Sequence, residues 1–390
     1  MISAGVAVGL LVFHQAWQAS YWPSIDDQPP LGVPQAEVPT ESWLALEAVM
    51  SEVPMAYADA MRYALVGHGL PQETEVWRMA SDSLQALSAL RGASPIVSPP
   101  RGPTTQGSQA DLIPLVPLAQ AQMLRGWDRY SGGDAGKGAQ DILQADRLGQ
   151  RLADGSQSPL MSVVGAAIQG QALRELQELL SVSHEPSVHA LVAERLPRQA
   201  PQEDRFRAVL QRECSDIEAL LMDPLQSAEA VGRPMDPKSL PSVLYDTDAT
   251  VAQHRKWCRE ADAWMGLPLD QRGDPPAYLP EGISETLAYN RTGIEYMKVV
   301  SPEGALGMAG HIPEARLQRD VLRLLTAARL YGYANGGQLP AEAGALVPEF
   351  LPSLPLDPFT GDELEIEHGE IEDSEGEWIK ITLPRAQAEP

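Results

Sequence analysis

Residues 206–221, FRAVLQRECSDIEALL, place Phe206, Leu210, Cys214, Ile217 and Leu221 at successive spacings of four, four, three and four. Residues three and four apart share one face of an α-helix, so this stretch predicts a helix with an apolar stripe and a cysteine within it. Downstream, Leu244, Val251, His254, Cys258, Ala261 and Met265 fall on a second such stripe. Cys214 and Cys258 are the two cysteines of the chain. Both are therefore expected to face inward. They read either as buried thiols acting as small hydrophobes or as a disulfide pinning the two helices, which needs an oxidising compartment and the right geometry. No Cys-x-x-Cys occurs, which excludes thiolate zinc sites and thioredoxin chemistry.

The same helical period extends outward from this pair. Thr40 is a candidate N-cap for a helix through Trp43, Leu46, Val49 and Met50, and residues 72–91 give another. A helix pair over 111–131 and 134–153 flanks Ser131-Gly132-Gly133, and Ser158-Pro159 is a cap-and-first-turn start for a helix through Val163, Leu173 and Leu180. A further helix runs through Thr286 to Met297. The last long helix starts near Pro313 and stops at Asn335-Gly336-Gly337, a strong termination signal. Segments 94–107, 224–242 and 267–281 are rich in proline or glycine and read as surface connections. With 390 residues, 44% hydrophobic and only 6% aromatic, the composition suits a helical array better than a sandwich or barrel. The fold expected is mainly α: an N-terminal apolar anchor helix, an irregular multi-helix array, and a small C-terminal α+β module with a β-hairpin.

The formal net charge is −24, and a field of that sign repels phosphate backbones, which sets nucleic acid aside as a partner. Charge is uneven along the chain. The first Lys or Arg is Arg62, and residues 2–13, ISAGVAVGLLVF, carry no charge. That run is short of the ~20 apolar residues that span a bilayer. Trp17, Tyr21 and Trp22 nevertheless stand where an interfacial aromatic belt would lie. An N-terminal membrane anchor is the favoured reading, against a cleaved signal peptide or a buried core helix. The domain division that follows is 1–22 anchor, 23–39 tether with five prolines, 40–310 helical domain, 311–384 C-terminal module and 385–390 tail.

In the C-terminal module, Leu364–Glu367 and Trp378–Leu383 read as the two strands of a hairpin, separated by an acidic turn. The stretch ahead of them carries Tyr331, Gly337, Pro340, Leu346, Val347, Pro348, Leu351, Pro355, Asp357, Pro358, Phe359 and Gly361. In this order and spacing, residues 312–384 resemble the C-terminal region of the major pseudopilins of type II secretion systems. Physically, Pro355 and Pro358 hold an extended turn, Gly361 permits a positive φ, and Phe359 would plug the hairpin onto the helix. The resemblance stops there. The N-terminus lacks the glycine-aromatic pair and the helix glutamate of a prepilin peptidase site. The whole layout is similar to membrane-anchored helical proteins of bacterial envelopes that end in such a module. The resemblance also implies calcium near the C-terminal loop. Asp373 and Glu375, in an acidic run of hard oxygen ligands, are the candidates, set against a solvated acidic face.

Other chemistry is weakly supported. His184 and His189 are five apart with Pro186 between them, which breaks the four-residue spacing of a helical zinc pair. Gly132–Gly138 evokes a phosphate loop but has glycine where Ser or Thr must hold Mg²⁺, and it joins two helices. His254, one turn before Cys258, reads as a hydrogen-bonded core histidine rather than half of a catalytic pair. No catalytic residue or cofactor motif is identified. The expectation is a non-enzymatic, single-pass protein of the bacterial inner membrane with its bulk outside the cytoplasm, an interaction or scaffold component with protein partners, linked to secretion or pilus-like machinery. The alternative is a metal-assisted hydrolase.

Overall fold

The computed structural model describes residues 37–51, 94–97, 114–196, 202–222, 245–279, 302–367, 370–372 and 378–380, with isolated positions between 24 and 32 and between 290 and 297. It is mainly helical. Helix α1 spans Glu41–Ser51, α2 Leu115–Ser131, α3 Ala135–Asp154, α4 Pro159–Val182, α5 Pro186–Arg195, α6 Glu203–Met222 and α7 Thr247–Met265; the short α8 (Glu303–Gly307) leads into α9, His311–Ala334. The 1–22 anchor segment, the helix expected over 72–91 and most of that over 286–297 lie outside the described residues. Among the described residues, no helix is long and apolar enough to cross a membrane.

Local chemistry accounts for the helix ends. Thr40 Oγ1 accepts from Trp43 N at 3.3 Å and from Val97 N at 3.2 Å, so one side chain caps α1 and ties residues 94–97 to it. Ser158 accepts from Met161 N at 3.3 Å with Pro159 as the first helical residue. Asp134 accepts from Lys137 N at 3.1 Å, and Gly133 takes φ 87°, so the glycine-rich segment is the turn of a helical hairpin between α2 and α3. At the end of α9, Gly336 and Gly337 have φ of 65° and 92°, and Gly337 N donates to Gly332 O at 2.8 Å.

Helices α2, α3 and α4 pack consecutively, at a closeness set by glycine. A Cβ on Gly126 would lie 2.7 Å from Gly138 O, and one on Gly149 2.6 Å from Gly165 O, so each pair brings two backbones together where no side chain fits. Helix α9 lies against α4 and α5. Its stripe of Leu317, Val321, Leu324, Leu325 and Ala328 is buried in one apolar cluster that runs from Trp43 through Leu124, Leu148 and Leu176 to Ile371. The core thus runs across the 310/311 division drawn from sequence. A second cluster fills the space between α4, α6 and α7, with Phe206, Leu210, Trp257, Tyr278 and Ile312 among its members.

The C-terminal module is observed as a three-stranded antiparallel sheet in the order β1 (Ile366–Glu367), β2 (Glu370–Glu372), β3 (Trp378–Lys380). This corrects the expected hairpin. The two strands read from sequence do not pair with each other, because β2 stands between them, with Ile371 opposite both Ile366 and Ile379. Ile371 is fully buried, and this single apolar side chain places the acidic Glu370–Glu372 segment in the sheet. Ahead of the sheet, Asp357 Oδ1 accepts from Phe359 N at 2.7 Å, Gly361 takes φ 80°, and Leu356 bridges Glu363. Phe359 is half-buried against the main core, beside the end of α9's cluster.

Candidate functional site

Helices α6 and α7 are antiparallel, and three cross-links at successive levels fix their register. Arg207 grips Asp262 through two bonds of 2.6 and 2.7 Å, Cys214 is joined to Cys258 as a disulfide with Cα atoms 6.1 Å apart, and Arg255 grips Glu218 at 3.0 and 2.8 Å. Helix α7 is set in place by Asp246, whose carboxylate caps Ala249 N at 2.9 Å, and it stops at Gly266. The inward face of α7 then carries Val251, His254, Cys258, Ala261 and Met265, all buried.

His254 lies directly on the disulfide. Its Nε2 stands 2.6 Å from the Cys214 carbonyl oxygen and 3.4 Å from Cys258 Sγ, and its Nδ1 stands 2.7 Å from the Tyr278 hydroxyl. A carbonyl only accepts, so Nε2 carries the proton and donates. Burial pushes the imidazole down to about 4, which keeps it neutral at physiological pH. Nδ1 therefore accepts from the Tyr278 hydroxyl, whose own pKa burial holds well above its usual value. Tyr278 is held edge-on to Trp257, ring centroids 5.1 Å apart, and Trp257 Nε1 donates to Pro276 O at 2.8 Å. Next to Cys214 along the chain, Glu213 is pushed up to about 7 by burial, with Asp216 adding to the shift. A small surface pocket lined by Pro30, Cys214, Ser215, Glu218, Arg255 and Cys258 reaches the disulfide from outside. Arg255 also donates to the Gln28 carbonyl at 3.1 Å, so part of the segment read as a tether lies over this seam. Farther along the same segment, Glu37 and Gln157 exchange hydrogen bonds of 2.8 and 2.9 Å.

Sequence reasoning placed Cys214, Cys258 and His254 on facing stripes, and the structure brings all three together. It missed Tyr278, which sits in a proline-rich segment read as a surface connection but is almost fully buried. The available signal was an aromatic hydroxyl within reach of a helix that carries a buried histidine. His184 and His189 are not brought together: His184 is exposed, and His189 is buried with Nε2 3.2 Å from Ser183 O. Asp373 and Glu375 lie outside the described residues. The Asp357-Pro358-Phe359 turn and Gly361 are remote in sequence from the cysteine site and belong to the C-terminal module.

The chain matches no family model, no curated protein and no solved structure.

Proposed function

We propose that this chain is a membrane-tethered protein of the bacterial envelope that acts as an interaction or scaffold component on secretion or pilus-like machinery. The observation that carries the reading is the Cys214–Cys258 disulfide, because such bonds persist in oxidising compartments and are rare in the cytosol. The uncharged run at residues 2–13 supplies the anchor. The link to secretion rests on the order and spacing of Asp357, Pro358, Phe359 and Gly361, which resemble the pseudopilin C-terminal module. A net charge of −24 suits partners with a basic face.

The test is location. A C-terminally tagged chain is expected to stay in alkali-washed membranes, and protease added to spheroplasts is expected to remove the tag. A soluble cytosolic chain would defeat the reading. The second reading, a metal-assisted hydrolase, draws on the grouping of Cys214, His254 and Cys258, whose side-chain atoms lie within 4.8 Å of one another. A hydrolase would carry a stoichiometric transition metal on isolation.

A further inference from the structure

We propose that Cys214, His254 and Cys258 form a mononuclear metal site when the disulfide is reduced, with Zn²⁺ as the expected occupant. The disulfide and the metal complex are then two states of one site. The ligand atoms come from one position on α6 and from two on α7 that are one turn apart, and all lie within 4.8 Å of one another. Around a tetrahedral Zn²⁺, with Zn–S about 2.3 Å and Zn–N about 2.0 Å, ligand atoms stand roughly 3.5–3.8 Å apart. With the Cα atoms 6.1 Å apart, opening the S–S bond lets the two sulfurs turn apart toward that spacing. Two thiolates and an imidazole select zinc over the hard cations calcium and magnesium. The complex is also electrically neutral, which suits a site whose three ligating residues are buried.

The surroundings already supply what such a site needs. Nε2 donates to the Cys214 carbonyl at 2.6 Å in the disulfide state, so metal binding requires the ring to turn off that carbonyl and its proton to pass to Nδ1, which then donates to the Tyr278 oxygen. The pocket lined by Ser215, Glu218 and Arg255 also touches both cysteines, which makes it the route for a ligand at the fourth position. Glu218 is engaged by Arg255, so this position falls to water. The absence of Cys-x-x-Cys argues against a thiolate site read along the chain. Here the ligands converge from two antiparallel helices, which local spacing does not register.

The chemistry balances as two steps. A dithiol passes two electrons and two protons to the cystine, leaving two thiols on this chain and a disulfide on the dithiol. Zn²⁺ then displaces both thiol protons, releasing two protons per ion bound. The inference goes beyond the envelope reading and does not rest on it, since the compartment decides only which state is populated.

The full chain, reduced anaerobically with a phosphine and freed of reductant, is titrated with Co²⁺ alone. The expected result is one equivalent bound, with a thiolate-to-cobalt charge-transfer band and the intense visible bands of tetrahedral cobalt. One equivalent of Zn²⁺ should displace it. The oxidised chain and the C214S/C258S chain should show neither band. Tyr278→Phe should keep the bands and weaken binding about 10–100-fold. A reduced, folded chain without the charge-transfer band overturns the proposal, and so does an affinity unchanged in His254→Gln. Should reduction unfold the chain, stoichiometric recovery of helical circular dichroism on adding Zn²⁺ supports the site, and failure to recover overturns it. None of these outcomes bears on the alkali-wash result, so the two readings fail separately.

Discussion

Two parts of the helical body are held together by different means. In the first, α2–α5 and α9 share a single apolar cluster, with glycine pairs bringing backbones into contact and a buried ion pair at the centre. In the second, α6 and α7 meet over smaller clusters and are cross-linked by a disulfide between two arginine–carboxylate grips. The contrast teaches that a large core needs no covalent help but leaves no room for change, whereas a thin seam relies on its links and tolerates a change of chemistry there. The candidate site lies on the thin seam.

The strongest way to break the first part is through its ion pair. Arg319 donates to Asp146, and both side chains are no more than 2% exposed. Burial raises the Asp146 pKa, and the guanidinium partly opposes that rise. Removing one partner of such a pair strands the other charge, so Arg319→Met should cost about 3–5 kcal/mol in urea unfolding. The double variant Arg319→Met with Asp146→Leu should recover most of the loss, since an apolar pair of similar volume is often no worse. If the double variant is as unstable as the single, the pair does more than neutralise itself.

The second part should break on reduction. The disulfide closes a loop with a sequence separation of 44. Cross-links of that span contribute about 2–4 kcal/mol, mainly by restricting the unfolded chain. Reduction in the absence of metal, or the C214S/C258S pair, should lower the unfolding free energy by that amount. The loss should be local first: amide exchange should rise in α6 and α7 before α3 and α4. Equal acceleration in all four helices would erase the distinction between the two parts.

Acid should act on the first part through His189. This ring is fully buried, and burial lowers its pKa from 6.5 to about 4. The unfolded chain binds the proton first as pH falls, so the stability is complete above about 6.5 and is lost progressively on the way down to about 4. The depth of that loss is about 3 kcal/mol. His189→Gln should flatten this limb of the stability–pH curve, whatever it costs at neutral pH. An unchanged slope would mean that other groups, His254 among them, carry the acid response.

How much of this was legible follows from what each feature depends on. Phe206, Leu210, Cys214 and Ile217 announce α6 because a helical stripe is a property of one segment. Ser158-Pro159 and Asn335-Gly336-Gly337 mark ends for the same reason. The close approaches at Gly126–Gly138 and Gly149–Gly165 could not be read, since nothing in either member of a pair names its partner. Strand β2 was hidden because its one apolar residue, Ile371, stands between glutamates that read as turn. Of the site, the two stripes were visible. Their distance, and the inward reach of Tyr278 from a proline-rich segment, depend on tertiary packing alone.

The smallest expected effect tests whether the C-terminal module belongs with the first part or only rests on it. Asp357 is buried, and its carboxylate holds the turn by accepting from Phe359 N at 2.7 Å and from Thr360 N at 3.4 Å. Asp357→Ala leaves those donors to water, since the turn borders solvent, so the cost should be about 1 kcal/mol. Phe359 packs on the same cluster as Leu346, Leu351 and Ile371, which also contains the stripe of α9. A loosened turn should therefore be felt in α9, and amide exchange near Leu324 and Leu325 should rise together with that of β1 and β2. Faster exchange confined to the sheet would mean that the module unfolds as its own unit, and that the shared cluster is contact without cooperativity.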